Sequence, residues 1–299
     1  MKALITGAEG FVGKHLTAHL VACGDTVIGV DRENGPDLLD PSGLDALLAE
    51  TTPDVVYHLA GWSDIGASWK HPRTAFEVNA TGTLNLLQAC VTNGRPRVLA
   101  VSSADVYGTV TPDELPLTEE SPFRPVTPYA ASKIAADQLA LQAWLGFELE
   151  VIRVRAFNHL GPGQSTNFVA PAIADRIARN EREQRGDVAV GDLTPRRDIT
   201  DVRDVVRAYR LLIEHGAAGE AYNVCTGRDH SVAEIAEMLI SMASIPMHLV
   251  ADPDLLRPVE IPVLRGDPSK LQAATGWSPE IDLRDTVADV LADRRQHLV

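Results

Sequence analysis

Tyr129 and Lys133 are spaced to share one face of a helix, and a serine pair, Ser102-Ser103, closes an apolar run upstream of them. A phenol with a pKa of about 10 is a poor proton shuttle at neutral pH. A cation one helical turn away stabilises the phenolate and lowers that value. Tyr129 is therefore expected to be the proton donor, Lys133 the cation that tunes it, and Ser103 the hydrogen-bond partner of the reacting oxygen. Asp105 follows Ser103 by two residues and is the nearest candidate for a carboxylate base. His159 has no second His or Cys at ligand spacing, so no metal site is expected and a structural hydrogen bond to its own loop is.

A glycine turn precedes this set. Gly7-Ala8-Glu9-Gly10-Phe11-Val12-Gly13 follows an apolar strand pattern and opens a helix pattern. Such a turn lets backbone approach a pyrophosphate, and the helix start supplies unpaired N–H groups and a positive dipole end. Gly7, Gly10, Phe11, Val12 and Gly13 are the expected contacts. The next strand pattern ends at Asp31, whose carboxylate suits the adenosine ribose hydroxyls and repels a 2′-phosphate. NAD(H) is favoured on that ground, while Arg32 beside it leaves NADP(H) open. Lys133 is also expected to hold the nicotinamide ribose.

These side chains need a scaffold that gathers strand ends. Apolar runs at 2–6, 26–31, 55–60, 97–103 and 150–157 read as strands, and amphipathic stretches at 11–23, 72–93 and 128–145 as helices. The alternation predicts βα units and a parallel sheet covered on both faces. Right-handed crossovers then bring the strands' C-terminal ends to one edge, where ligands bind. After Phe157 the segments shorten and proline and arginine become frequent. The fold class expected is α/β, a Rossmann-type doubly wound parallel sheet with a smaller discontinuous substrate-binding domain. Residues 1–157 with about 199–226 would form the dinucleotide domain, and about 158–198 with 227–299 the other.

Bulk properties exclude several functions. The 299 residues are 45% hydrophobic and 23% charged, ordinary for a globular enzyme, and the formal net charge is −14. No basic field exists to gather nucleic acid. An anionic substrate would need a local arginine cluster set against the global sign. Three scattered cysteines form no Cys-x-x-Cys pair, and no apolar run approaches the roughly 20 residues of a membrane span. A cytoplasmic, reduced protein is expected.

The glycine spacing together with Tyr-x-x-x-Lys resembles the extended short-chain dehydrogenase/reductase family, over essentially the whole chain. That resemblance implies further cofactor contacts: Asp37-Leu38 near the adenine, Leu59-Ala60-Gly61 beneath the dinucleotide, and Asn79 behind the nicotinamide strand. It also implies a homodimer built on the helices at 72–93 and 128–145.

Longer motifs narrow the group. Arg155-Ala156-Phe157-Asn158-His159-Leu160-Gly161-Pro162, Leu256-Arg257-Pro258-Val259-Glu260 and Arg265-Gly266-Asp267-Pro268 resemble those of enzymes acting on GDP-mannose and its derivatives, and Arg196-Arg197-Asp198 completes the set. Arg197 and Arg257 can each fork onto a diphosphate. Asn158 and Asn167 can bond phosphate or sugar oxygens, and Glu260 can accept from ribose hydroxyls.

The residues after Ser103 bear on the reaction. In sugar-nucleotide dehydratases this segment carries acid and base groups, whereas here Ala104 offers no proton and Asp105 is one methylene shorter than the usual glutamate. Plain hydride transfer needs only Ser103, Tyr129 and Lys133. The expected function is NAD(P)H-dependent reduction of the C4 keto group of a GDP-4-keto-6-deoxy-mannose-type sugar. The alternatives are GDP-mannose 4,6-dehydration with Asp105 as base, nucleotide-sugar C4 epimerisation, and a non-enzymatic nucleotide sensor.

Overall fold

A computed structural model of the chain describes residues 1–255 and 261–297. In chain order the elements begin β1 (Lys2–Thr6), α1 (Phe11–Ala22), β2 (Thr26–Val30), α2 (Pro41–Thr51) and β3 (Val55–His58). Two short helices, α3 (Ile65–Ser68) and α4 (Pro72–Phe76), lead through a π-turn at Glu77–Thr81 into α5 (Gly82–Thr92). Next come β4 (Arg97–Ser103), α6 (Pro128–Phe147), β5 (Val151–Ala156), β6 (Asn158–Leu160), α7 (Val169–Glu183) and β7 (Asp187–Val190). The remainder is β8 (Arg196–Asp201), α8 (Val202–His215), β9 (Ala221–Val224), β10 (Asp229–Ser231), α9 (Val232–Ser241), β11 (His248–Ala251), β12 (Val263–Leu264), α10 (Ser269–Thr275) and α11 (Leu283–His297).

Among the described residues, six strands form one sheet in the order β2-β1-β3-β4-β5-β9, every neighbouring pair parallel. Val55, Val56, Tyr57 and His58 are all buried, as are all six residues of β5, because helices cover both faces. Leu16 and Leu20 of α1 and Val205, Tyr209 and Leu212 of α8 pack on one face. Leu44 and Leu48 of α2, Leu86 of α5 and Ala140 and Ala143 of α6 pack on the other. Each fully buried leucine contributes about 1.5–3 kcal/mol.

A separate cluster joins Ile173 and Ile177 of α7, Ile235 and Leu239 of α9, and Val287 and Leu291 of α11. Strands β6, β10 and β12 gather on β8. The wholly buried Asp198 ties that group together: it accepts from the Thr226 N–H and hydroxyl and from the Gly227 and Gly266 N–H groups.

Three sequence expectations change. Helix α2 was not anticipated, because its buried face amounts to Leu44 and Leu48, one turn apart. The helix expected over 72–93 is interrupted by the π-turn, whose consequence is described below. The strands expected to end at Asp31 and Ala60 stop at Val30 and His58, so both residues lie in the loops just beyond strand ends. Among the described residues, no helix is long and apolar enough to cross a membrane.

Candidate active site

The glycine turn sits between the ends of β1 and β3, where the chain's direction of travel across the sheet reverses. Gly7 has φ +77, and a Cβ there would lie 2.7 Å from the Ala60 nitrogen. A Cβ on Gly13 would lie 2.1 Å from the Gly7 oxygen. Both positions therefore demand glycine. Gly10 caps α1 with no side-chain hydrogen bond, and no acid occupies the first turn. The helix start thus keeps its dipole end uncompensated by any side chain of its own. Leu59, Ala60 and Gly61 run alongside as a floor; a Cβ on Gly61 would come 2.7 Å from Asn79 Oδ1 and 3.6 Å from Lys133 Nζ.

Asp31 stands beside this turn. Its carboxylate accepts from the Glu9 N–H at 3.2 Å and the Arg32 N–H at 2.7 Å, and the Arg32 side chain is exposed. Asp37 accepts from the Leu39 N–H, and the Leu38 carbonyl accepts from Asn85 of α5, so that loop is pinned against the helix layer. Phe11 stacks on the His159 ring, centroids 6.0 Å apart, and meets His15 edge-on at 5.4 Å. His159 itself bonds the Phe157 carbonyl, as its expected structural role required.

Ser103 ends β4 at the C-terminal edge of the sheet. Thr127 caps α6 by accepting from the Ala130 N–H, and Pro128 occupies the first turn, so Tyr129 falls at the helix start facing Ser103. Tyr129 and Lys133 are 8% and 9% exposed. Ser103 accepts from the Asp105 N–H and shares a hydrogen bond with Tyr129. Ser102 turns the other way and donates to the Lys133 carbonyl.

The electrostatics differ from the expected tuning. Burial first, and the Asp105 carboxylate second, raise the Tyr129 phenol above its ordinary value; the Ser103 hydrogen bond works the other way. A phenol lowered by Lys133 was expected. Instead the Lys133 ammonium donates to the Val101 carbonyl at 2.9 Å, and burial brings it down to about 8. A phenol held protonated suits a proton donor better than a base.

Asn79 lies in the π-turn and is 2% exposed. Its side chain accepts from the Trp62 N–H at 2.7 Å and donates to Ser132 at 2.9 Å, and Ser132 donates to the Tyr129 carbonyl at 2.7 Å. The 59–62 loop and α6 are thereby joined through one amide.

Two of the residues expected to meet substrate, Asn158 and Arg197, connect to this edge along strands. Ser103 pairs in register with Ala156, and Asn158 follows two residues later at the start of β6, opposite Ile199 of β8. Arg197, two residues before Ile199, is half-buried and donates to the Arg196 carbonyl. Asn158 and Asn167 are both exposed. Arg257 and Glu260 lie outside the described residues. Arg196 pairs with Asp229, as does Arg265 at 3.3 Å.

Arg155, first in its motif, is structural: it bonds Asp137, the Tyr107 hydroxyl and the Glu119 carbonyl and lies 4.6 Å over Phe123. It fastens the 104–123 segment, and with it Asp105, onto the sheet. Sequence reasoning did not single out Thr6, His58, Thr83 or Ser132. The available signal was a histidine closing an otherwise apolar strand.

Comparison with known proteins places this arrangement. Residues 34–290 match the family model described as GDP-mannose 4,6 dehydratase. The chain is 40% identical over 294 residues to the GDP-6-deoxy-D-mannose reductase of Pseudomonas aeruginosa, covering 98% of this chain and 96% of that one. The structure of RMD from Pseudomonas aeruginosa complexed with NADPH superposes with a TM-score of 0.92 at 39% identity, over 99% of this chain and 100% of that one. The UDP-glucose 4-epimerase of Thermus thermophilus in complex with NAD gives a TM-score of 0.88 at 29% identity, over 99% of both chains.

Proposed function

The chain belongs to the GDP-mannose 4,6-dehydratase family of NAD(P)-dependent nucleotide-sugar enzymes, and from that premise we propose that it reduces the C4 keto group of a GDP-4-keto-6-deoxy-mannose-type sugar. The observation that carries this reading is the hydrogen bond of Ser103 with a buried Tyr129, whose phenol burial raises above its ordinary value, beside an Ala104 that offers no proton. The near-full-length similarity to a GDP-6-deoxy-D-mannose reductase supports it.

The glycine positions fit a dinucleotide: Gly7 and Gly13 let the turn close against Ala60 and on itself, and the start of α1 keeps N–H groups without a side-chain cap for its phosphates. When bound, the reduced nicotinamide supplies the hydride. Ser103 and Tyr129 hold the carbonyl oxygen, and Tyr129 releases its proton to that oxygen as the alkoxide forms. Lys133 holds the nicotinamide ribose and, in the complex, stabilises the phenolate left behind. Arg197 and Arg257 take the diphosphate, Asn158 and Asn167 the phosphate or sugar oxygens, and Glu260 the ribose. Residues 1–157 with about 199–226 carry the dinucleotide, and the remainder the nucleotide sugar.

The purified protein given the keto sugar and NADPH should consume the nicotinamide absorbance, and given GDP-mannose without reductant it should form no keto product. The reverse pattern would establish the dehydratase reading with Asp105 as base.

Both cofactors are accepted in this reading, NADH through Asp31 and NADPH through the exposed Arg32. Arg32→Ala is expected to lower kcat/KM for NADPH about tenfold while leaving NADH within about threefold, an effect of the size of one charge-assisted contact. Equal losses with both cofactors would remove Arg32 from the site.

The assembly proposed is a homodimer through α4, α5 and α6, where Phe76, Leu145 and Phe147 are exposed at 49%, 72% and 43%. Light scattering should give twice the chain mass of 32.2 kDa; a monomer at micromolar concentration would contradict it.

A further inference from the structure

His58 is buried at the end of β3, beneath the floor that Leu59, Ala60 and Gly61 make, and no step above uses it. Its Nδ1 lies 2.8 Å from the Thr6 hydroxyl and its Nε2 2.9 Å from the Thr83 hydroxyl. The neighbours of those hydroxyls fix which atom donates. Thr83 has one proton and donates it to the Asn79 carbonyl at 2.6 Å. It can therefore only accept from the ring, so Nε2 carries a hydrogen. A neutral ring then accepts at Nδ1, so Thr6 donates there and uses its lone pair for the Ala60 N–H at 3.3 Å. A charged ring would donate from Nδ1 as well, and the Thr6 proton would lose the ring nitrogen that accepts it. Burial, and after it the nearby Lys133 charge, hold the ring neutral, with its pKa brought down to about 3.

We propose that His58 is the positioning residue of the cofactor floor. As the neutral Nε2–H tautomer it joins Ala60 to Asn79 through hydrogen bonds that all run one way. The chain reads Ala60 N–H to Thr6, Thr6 to His58, His58 to Thr83, and Thr83 to the Asn79 carbonyl. It starts on the loop beneath the dinucleotide and ends on the π-turn. The Asn79 side chain then returns to the same loop at Trp62 and continues through Ser132 to the Tyr129 carbonyl. The floor is thus held from both ends. Asn79, which both chains of bonds meet, lies within the π-turn: its carbonyl accepts from Thr83 and its amide bonds Trp62. Reversal of any one bond would set two donors or two lone pairs against each other in a buried site. The role assigned to His58 rests on the dinucleotide reading above; the state of its ring does not.

The test uses the full-length chain labelled with 15N at histidine. NMR at neutral pH, with and without NADPH, should show His58 protonated at Nε2 and bare at Nδ1 in both states. The opposite tautomer, or a doubly protonated ring, would overturn the proposal. His58→Gln offers an acceptor and a donor in the same order and should keep NADPH affinity within about threefold. His58→Leu should raise the NADPH KM about tenfold or more with kcat within about threefold, because the floor binds ground and transition states alike. A folded Leu variant with native NADPH affinity contradicts the role, as does a Gln variant equally impaired at native melting temperature. If the Leu variant fails to fold, the ring assignment in the native chain decides. A native chain that binds no dinucleotide defeats the functional reading instead, and the NMR still judges the ring.

Discussion

Tyr129→Phe is expected to lower kcat for keto-sugar reduction by about 10³-fold while leaving NADPH affinity within about threefold, within the range for loss of a positioned general acid. The substitution removes one oxygen and keeps the ring, so the packing of a residue that is 8% exposed survives. The phenol is held protonated by burial and by Asp105, so at neutral pH the native enzyme has its proton in place before substrate arrives. The change should appear in kcat and kcat/KM together, because the proton moves only in the transition state. Steady-state rates at saturating NADPH check this; a variant within tenfold of native would show that another group supplies the proton.

Lys133→Met should abolish most activity yet stabilise the cofactor-free protein. Burial brings the Lys133 pKa from 10.5 to about 8. That difference corresponds to about 3 kcal/mol of unfavourable free energy for holding the charged form in the fold. The folded value lies below the unfolded one, so this cost is fully present below pH 8. It is relieved as pH rises from about 8 toward the unfolded value of 10.5. Methionine fills the same space without charge, and loss of the bond to the Val101 carbonyl returns about 1 kcal/mol. The net gain of about 2 kcal/mol corresponds to a melting temperature higher by roughly 3 °C in a chain of 299 residues. The gain should be largest below pH 8 and shrink above it, while turnover falls by about 10²-fold or more. Calorimetry at two pH values, beside initial rates, separates the two effects. A variant less stable than native at pH 7 would show that the ammonium is a structural group.

The glycine turn and the Tyr129–Lys133 pair were legible in the sequence because each depends on neighbours in the chain. Gly7 and Gly13 are required by contacts within a few residues and by the adjoining strand, and Tyr129 and Lys133 share a helical face by spacing alone. The parallel order of the sheet followed from alternation of apolar runs. What the sequence did not disclose is set by tertiary distance. Lys133 meets its carbonyl 32 residues away, and His58 meets its two hydroxyls 52 and 25 residues away. The direction of the Tyr129 shift was missed for the same reason, since desolvation is a property of the packed site. Arg155 opens the motif by which the chain resembles enzymes acting on GDP-mannose, and it had no role on sequence grounds alone. Its burial against Asp137, Tyr107 and Phe123 assigns it to the scaffold.

The reductase and dehydratase readings share fold, cofactor cradle and tyrosine, and they part at the fate of the hydride. NADPH carrying deuterium at both hydrogens of nicotinamide C4 should therefore be turned over with the 4-keto sugar and the product examined by mass spectrometry and NMR. One deuteron fixed at C4 of a 6-deoxyhexose is the result predicted here. An unlabelled product, or label found at C6, would contradict it.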